Sequence, residues 1–381
     1  MKSVKSVKSI SHGLQFAGRA PWLKLAAIPS VGFSPMPNAT SIKASSRRGL
    51  QSRAIVGAYT HSRKAITVSH QTPHRCHAPY TTSTATTEPT IHHVFEDVTG
   101  TWQYIVADPS TSTAVIIDPV LNYDPVTQAI TTHSADELLS LVQEKGYKIE
   151  KILETHAHAD HLTSSSYLQS RLAQIQDHKP PISIGKRIKQ VQNLFGKRYG
   201  LARDEYNHVF DKLFDDDETF SIGNLTAKAI HLPGHTPDHL GYQIGGKYQN
   251  VFCGDSIFHA EIGTARCDFP GGDATQLFRS GRRLLELPDD VKIWPGHDYP
   301  SDGREPVPWM SVRDQKKLNK HLGAKVSEEE FVQMRDERDR MLKAPRLLHQ
   351  SLQMNIRAGR LPKVEEGFRM LRLPLKVGVE W

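Results

Sequence analysis

The stretch Thr155-His156-Ala157-His158-Ala159-Asp160-His161 follows a short apolar run, Ile149, Ile152 and Leu153, and precedes Tyr167, Leu168 and Leu172 at helical spacing. The pattern predicts a loop between a strand and a helix that carries three imidazoles and a carboxylate. Side chains of an extended segment alternate, so His156 and His158 are expected to point the same way, with Asp160 and His161 turning in from the helix start. Neutral imidazole and carboxylate suit zinc, iron or manganese, and a set with open positions is catalytic rather than structural.

Three further stations repeat the arrangement. His235 in Pro-Gly-His-Thr, Asp255 in Cys-Gly-Asp-Ser and His297 in Pro-Gly-His-Asp each end an expected strand. Glycine at those points lets the backbone turn tightly and bring a ligand close. Around them, 102–106 with 113–117 and 220–222 with 225–229 read as hairpins, and 240–244 with 251–255 as a further β region. Capping boxes at Ser134/Glu137, Ser311/Asp314 and Ser327/Glu330 and a cap at Asp273 open helices, and Gly146 closes the first. The recurring order is strand, loop bearing His or Asp, then helix, which predicts a sheet-based α/β domain with its ligands gathered at one sheet edge.

In this order the motif HxHxDH, then H, D and H resembles the metallo-β-lactamase superfamily over residues 92–300. The resemblance implies a four-layered αββα sandwich with a C-terminal helical extension. Glu154-Thr155, His231-Leu-Pro-Gly-His-Thr-Pro237, Gly263-Thr-Ala-Arg-Cys-Asp-Phe-Pro-Gly-Gly-Asp273, His297-Asp-Tyr299 and Met354-Asn-Ile-Arg-Ala-Gly359 are similar to the bacterial-type persulfide (sulfur) dioxygenases and extend the likeness to about residue 375. That likeness implies one Fe(II) held by His156, His235 and Asp255, with His158, Asp160, His161 and His297 in supporting positions. The implied reaction is oxidation of glutathione persulfide by O₂ to sulfite and glutathione. The alternative is a glutathione-thioester hydrolase of the glyoxalase II kind, in which all seven side chains hold two zinc ions. Arg266 and Asp268 are expected to brace the metal face as an ion pair beside Tyr299, the bland alternative being ordinary structural pairing. Arg357 is expected either to clamp a glutathione carboxylate or to be a plain surface residue.

Composition bounds these readings. The 381 residues carry a net charge of +7, but twelve Lys or Arg fall in residues 1–87 and no acidic residue occurs before Glu88. The remainder holds 36 basic against 41 acidic residues, which argues against nucleic-acid binding. A basic, Ser-rich, acid-free leader is expected to be a presequence for the mitochondrial matrix, the bland alternative being a disordered basic tail retained in the mature protein. No run of about 18 apolar residues is present, so no membrane span is expected. The expected organisation is a presequence and linker over 1–90, a catalytic domain over 91–300, and C-terminal helices over 301–381 packing on it. Cys76, Cys253 and Cys267 form no CxxC pair, as suits a reducing interior. The partners implied are glutathione persulfide and O₂; a homodimer remains open.

Overall fold

Residues 101–108, Thr-Trp-Gln-Tyr-Ile-Val-Ala-Asp, are buried at every position, as a strand covered on both faces must be. Alternate residues divide between two cores. Trp102, Tyr104 and Val106 enter one, Ile105 and Ala107 the other. The computed structural model describes residues 88–246, 249–301, 303–375 and 377–379; the leader expected at 1–87 lies outside them.

Two six-stranded sheets face each other. The first contains β1 (Thr90–Glu96), β2 (Thr101–Asp108), β3 (Thr113–Ile117), β6 (Lys148–Leu153), β8 (Ile182–Gly185) and β9 (Lys212–Phe214), adjacent in that order. The second runs β10 (Thr219–Ile222), β11 (Leu225–His231), β12 (Leu240–Ile244), β13 (Asn250–Gly254), β14 (Lys292–Pro295) and β15 (Met310–Ser311). A three-stranded ribbon of β4 (Val120–Asp124), β5 (Ala129–Thr131) and β7 (Leu162–Thr163) sits beside them.

The cores between these layers define the sandwich. Val106, Ile117 and Leu153 of the first sheet meet Ala227, Tyr242, Phe252 and Trp294 of the second. Outside the first sheet, α1 (His133–Lys145) and α2 (Ser165–Ile175) bring Leu138, Val142, Leu168 and Leu172 onto Ile105, Ile116 and Ile149. Outside the second, α4 (Ala274–Leu285), α5 (Val312–Leu318) and α6 (Glu328–Met341) bring Leu277, Val312 and Phe331 onto Ile230, Val251 and Ile293. The expected four-layered αββα fold is therefore present. Among the described residues no helix is long and apolar enough to cross a membrane.

Two local expectations are corrected. Helix α1 begins two residues early, after Thr132, and Ser134 makes no cap. Its N–H and hydroxyl are instead engaged by the Asn122 side chain of β4, so a tertiary bond outcompetes the local box. Helix α2 begins only at Ser165, after β7, which leaves Asp160 and His161 in the loop rather than at a helix start. The caps at Asp273, Ser311 and Ser327 form as expected, each side chain accepting from an N–H three residues on.

Candidate metal centre

Parallel strands β3 and β6 end side by side, and the chain leaving each turns toward the same rim. Asp118 follows β3 with φ at +48°. Its Oδ1 accepts from the Thr155 N–H at 2.7 Å, and its Oδ2 from the Thr155 hydroxyl at 2.8 Å. His158 Nε2 lies 3.1 Å from the same carboxylate and 3.3 Å from Glu154. Glu154 in turn accepts from the hydroxyls of Thr163 and Ser165. The histidine loop is thus pinned from beneath by two buried carboxylates.

The alternation expected of this loop is observed. Ala157 and Ala159 pack into an apolar cluster with Phe195 of α3 (Ile188–Arg198), Leu352 of α7 (Leu348–Asn355) and Ile356. The intervening histidines face the rim, with the His156 and His158 rings 4.1 Å apart. Asn355 locks the loop from behind: its Oδ1 accepts from the Thr163 N–H, and its Nδ2 donates to the carbonyls of His158 and His161, all at 2.8 Å.

From the second sheet, β11 delivers His235 through Pro233 and Gly234. Gly234 has φ of +138°, and a Cβ there would lie 2.3 Å from the Leu277 nitrogen, so the close approach needs glycine. The Nδ1 of His235 bonds to the Arg266 carbonyl at 2.8 Å, leaving Nε2 at 3.6 Å from Asp255. The Asp255 backbone N–H donates to His239 Nε2 at 2.9 Å. His297 bonds to the Gly100 carbonyl through Nδ1 and sets Nε2 at 3.1 Å from Asp160 and 3.6 Å from Asp255.

The seven side chains therefore meet at one rim; six of them form two donor sets, and His297 stands between the sets, facing Asp160 and Asp255. Ligating atoms of His156, His235 and Asp255 lie within 4.8 Å of one another, as do those of His158, Asp160 and His161. His156 Nε2, His158 Nδ1, His161 Nε2 and Asp255 Oδ1 are buried without a hydrogen-bond partner. Each such orphan costs about 1–3 kcal/mol, so a concentration of them fits a metal-binding rim. Burial and neighbouring imidazoles push His156 well below its ordinary pKa, and burial with His158 nearby takes His161 to about 3. Both are neutral at pH 7 and ready to ligate. Burial opposes a charge on His297, but Asp255 and Asp160 raise it to about 9.

A cavity of about 370 Å³ opens over His235 and Asp255 and is lined by Asp160, Phe258, Arg266 and Tyr299. Arg266 pairs with Asp268 through two 2.5 Å contacts and donates to the Lys343 carbonyl, fastening the loop that orients His235. Tyr299 stacks on His297 with ring centroids 5.6 Å apart. Arg357 stands elsewhere, which corrects its expected role. It is buried, donating to the Gln353 carbonyl and to Glu205 at 2.7 Å, because it ties α7 to the segment after α3. It is a structural cation and does not line the cavity.

Asp118 and the role of Asn355 escaped sequence reading. Asp118 had a signal: like Asp255, it is an acid at the end of an apolar strand. Asn355 had none local, since its three partners lie about 190 residues away. Replacing Asn355 with Ala removes three buried bonds and is expected to cost about 3 kcal/mol. Retention of bound metal against a chelator should fall by about 10–100-fold. Thermal unfolding and chelator competition check this; an unchanged melting temperature and metal retention would remove Asn355 from the site.

The sequence profile of the metallo-beta-lactamase superfamily matches residues 97–297. Glyoxylase B2 of Dictyostelium discoideum is 42% identical over 283 residues, covering 74% of this chain and 94% of that protein. The mitochondrial persulfide dioxygenase ETHE1 of Homo sapiens is 28% identical over 245 residues, covering 64% of this chain and 79% of that one. Among solved structures, ETHE1 from Myxococcus xanthus superposes with a TM-score of 0.56 at 26% identity, over 71% of this chain and all of that one.

Proposed function

The chain belongs to the metallo-β-lactamase superfamily, and within it we propose that the protein is an iron-dependent persulfide dioxygenase acting on glutathione persulfide. The observation that carries this reading is the two-histidine, one-carboxylate set His156, His235 and Asp255, from which His158 is drawn aside by Asp118 and Glu154. These three residues would hold one Fe(II) and leave positions for two further ligands. Iron bound there would supply the one-electron chemistry that ground-state O₂ needs to react with a sulfur.

The chain's own residues then have defined tasks. Asp118, Glu154 and Asn355 hold the histidine loop in register. The Arg266 carbonyl selects the His235 tautomer that presents Nε2 to the rim. Phe258, Ile262 and Ala265 keep the cavity wall apolar and limit water, while Tyr299 and Arg266 supply donors beside the ligating atoms. The balanced reaction takes one glutathione persulfide, one O₂ and one water to glutathione, sulfite and two protons. The S–S bond breaks, and the terminal sulfur gives up its electrons to oxygen.

A second reading has its own observation. The set His158, Asp160 and His161 offers a second metal position, and the relative at 42% identity is named a glyoxylase. A dinuclear zinc centre hydrolysing a glutathione thioester would use it. One experiment separates the two: the full chain, loaded aerobically with iron or with zinc, is given glutathione persulfide and S-lactoylglutathione. The expected result is persulfide-dependent O₂ uptake with about one iron per chain. Thioester hydrolysis by a two-zinc protein without O₂ uptake would replace the first reading with the second. A matrix location is part of this proposal and rests on the basic, acid-free residues 1–87 alone.

A further inference from the structure

The two imidazoles grouped with Asp255 are anchored differently on the side away from the rim. His235 gives its Nδ1 proton to a neutral acceptor, the Arg266 carbonyl. His156 Nδ1 instead lies 3.0 Å from the Thr155 hydroxyl oxygen, and that hydroxyl lies 2.8 Å from Asp118 Oδ2. A hydroxyl has one proton to give and lone pairs with which to receive. A carboxylate only accepts, so the Thr155 proton goes to Asp118 and the oxygen is left to accept from His156 Nδ1–H.

Both ends of this chain of bonds agree with that direction. His156 Nε2 is buried without a hydrogen-bond partner and converges with the ligating atoms of His235 and Asp255, so the nitrogen that carries no proton is the one at the rim. At the other end, Asp118 Oδ1 accepts from the Thr155 N–H and faces His158, while Oδ2 takes the Thr155 hydroxyl. Asp118, Thr155 and His156 are all buried. Gly254, at φ of +47°, closes over the hydroxyl, and a Cβ there would stand 2.7 Å from the Thr155 oxygen. In such an enclosed site the influence of a charge passes through short bonds with little screening.

We propose that Thr155 is a positioning residue that relays the Asp118 charge to His156. It holds His156 as the Nδ1–H tautomer, presents Nε2 to the rim, and makes that nitrogen a stronger donor than its counterpart on His235. A carboxylate bonded to the far nitrogen of a ligating histidine raises its basicity, and here a hydroxyl carries the effect across the gap. The relay serves any metal bound by this set. Only its consequence for turnover rests on the dioxygenase function proposed above, where a more electron-rich iron gives electrons to O₂ more readily.

The test compares the wild type with Thr155→Ser, which keeps the hydroxyl, and with Thr155→Val, which puts a methyl in its place. Nitrogen–proton NMR correlations of the metal-free, histidine-labelled full chain read the tautomer, the His156 signal being identified by its loss in His156→Gln. Iron retention against a chelator, and KM and kcat for glutathione persulfide, are measured on the iron-loaded full chain. The expected result is an Nδ1–H tautomer of His156 in the wild type and Thr155→Ser, and a mixture of tautomers in Thr155→Val. Iron retention should fall by about 10–100-fold in Thr155→Val and by less than about threefold in Thr155→Ser. The fall in kcat should exceed any rise in KM, because the hydroxyl acts through the metal and not on the substrate. A wild-type His156 protonated on Nε2 would overturn the relay whether or not Thr155→Val folds. So would a Thr155→Val protein with unaltered tautomer and iron retention, or a Thr155→Ser protein as impaired as Thr155→Val. A wild type with the expected tautomer and retention that takes up no O₂ with persulfide would sink the dioxygenase reading and leave the relay standing.

Discussion

Asp255→Asn is expected to yield a folded protein that retains little iron and loses about 10³-fold or more in kcat/KM, equivalent to about 4 kcal/mol of transition-state stabilisation. The reason is electrostatic. Asp255 is the sole carboxylate of the set it forms with His156 and His235, and an amide supplies neither its charge nor its ligand strength. Stability should fall less than iron retention, because burial works against a charge on Asp255 in the metal-free chain and Asp160 still faces His297 after the substitution. The backbone N–H to His239 also survives the substitution. Elemental analysis, O₂ uptake and thermal unfolding on one preparation measure the three quantities. His161→Asn serves as the contrast: on the one-metal reading it keeps about one iron per chain. An Asp255→Asn protein with full iron and near-normal turnover would mean that the metal sits elsewhere.

Asp118→Asn should be the most destabilising of the conservative changes at the rim, by about 3–5 kcal/mol. Asp118 is buried, accepts twice from Thr155 and faces His158. Burial alone would raise its pKa, but His158 overrides this and holds Asp118 below the usual carboxylate range. Its removal leaves a buried imidazolium with one poor partner. Glu154→Gln is the control. Burial raises the Glu154 pKa and so works against a charge there, so an uncharged amide should cost less at this position than at Asp118. Denaturant unfolding of both variants decides the matter. An Asp118→Asn loss under about 1 kcal/mol, or a larger loss for Glu154→Gln, would refute the assignment of charge.

Much of this centre was legible because its residues stand at strand ends, where sequence periodicity changes and glycine marks a tight turn. His156 to His161, His235, Asp255 and His297 were all identified in this way, and all meet at the rim. Strand β6 shows where periodicity misleads. Ile149 and Ile152 share a face although three residues apart, because the pairing with β3 shifts register at Ala114 and Val115. An extra residue in one strand turns the following side chains over, and nothing local announces it. Arg357 fails for a related reason. A guanidinium near the C-terminus reads equally as a substrate clamp or a surface residue, and the buried pairing with Glu205, distant in sequence, makes it neither.

Local chemistry, then, determined which side chains can bind a metal, which segments are strand or capped helix, and that these alternate as a sheet-based α/β domain requires. Those properties belong to residue type and short-range spacing. The folded arrangement decided how the donors group, which carboxylates restrain His158, that Asn355 clamps a loop far from it in sequence, and which arginines face the cavity rather than the core. These are relations between side chains brought together by packing two sheets and their helices. The free energy that sets them is shared among contacts of long sequence separation, so no single segment encodes it.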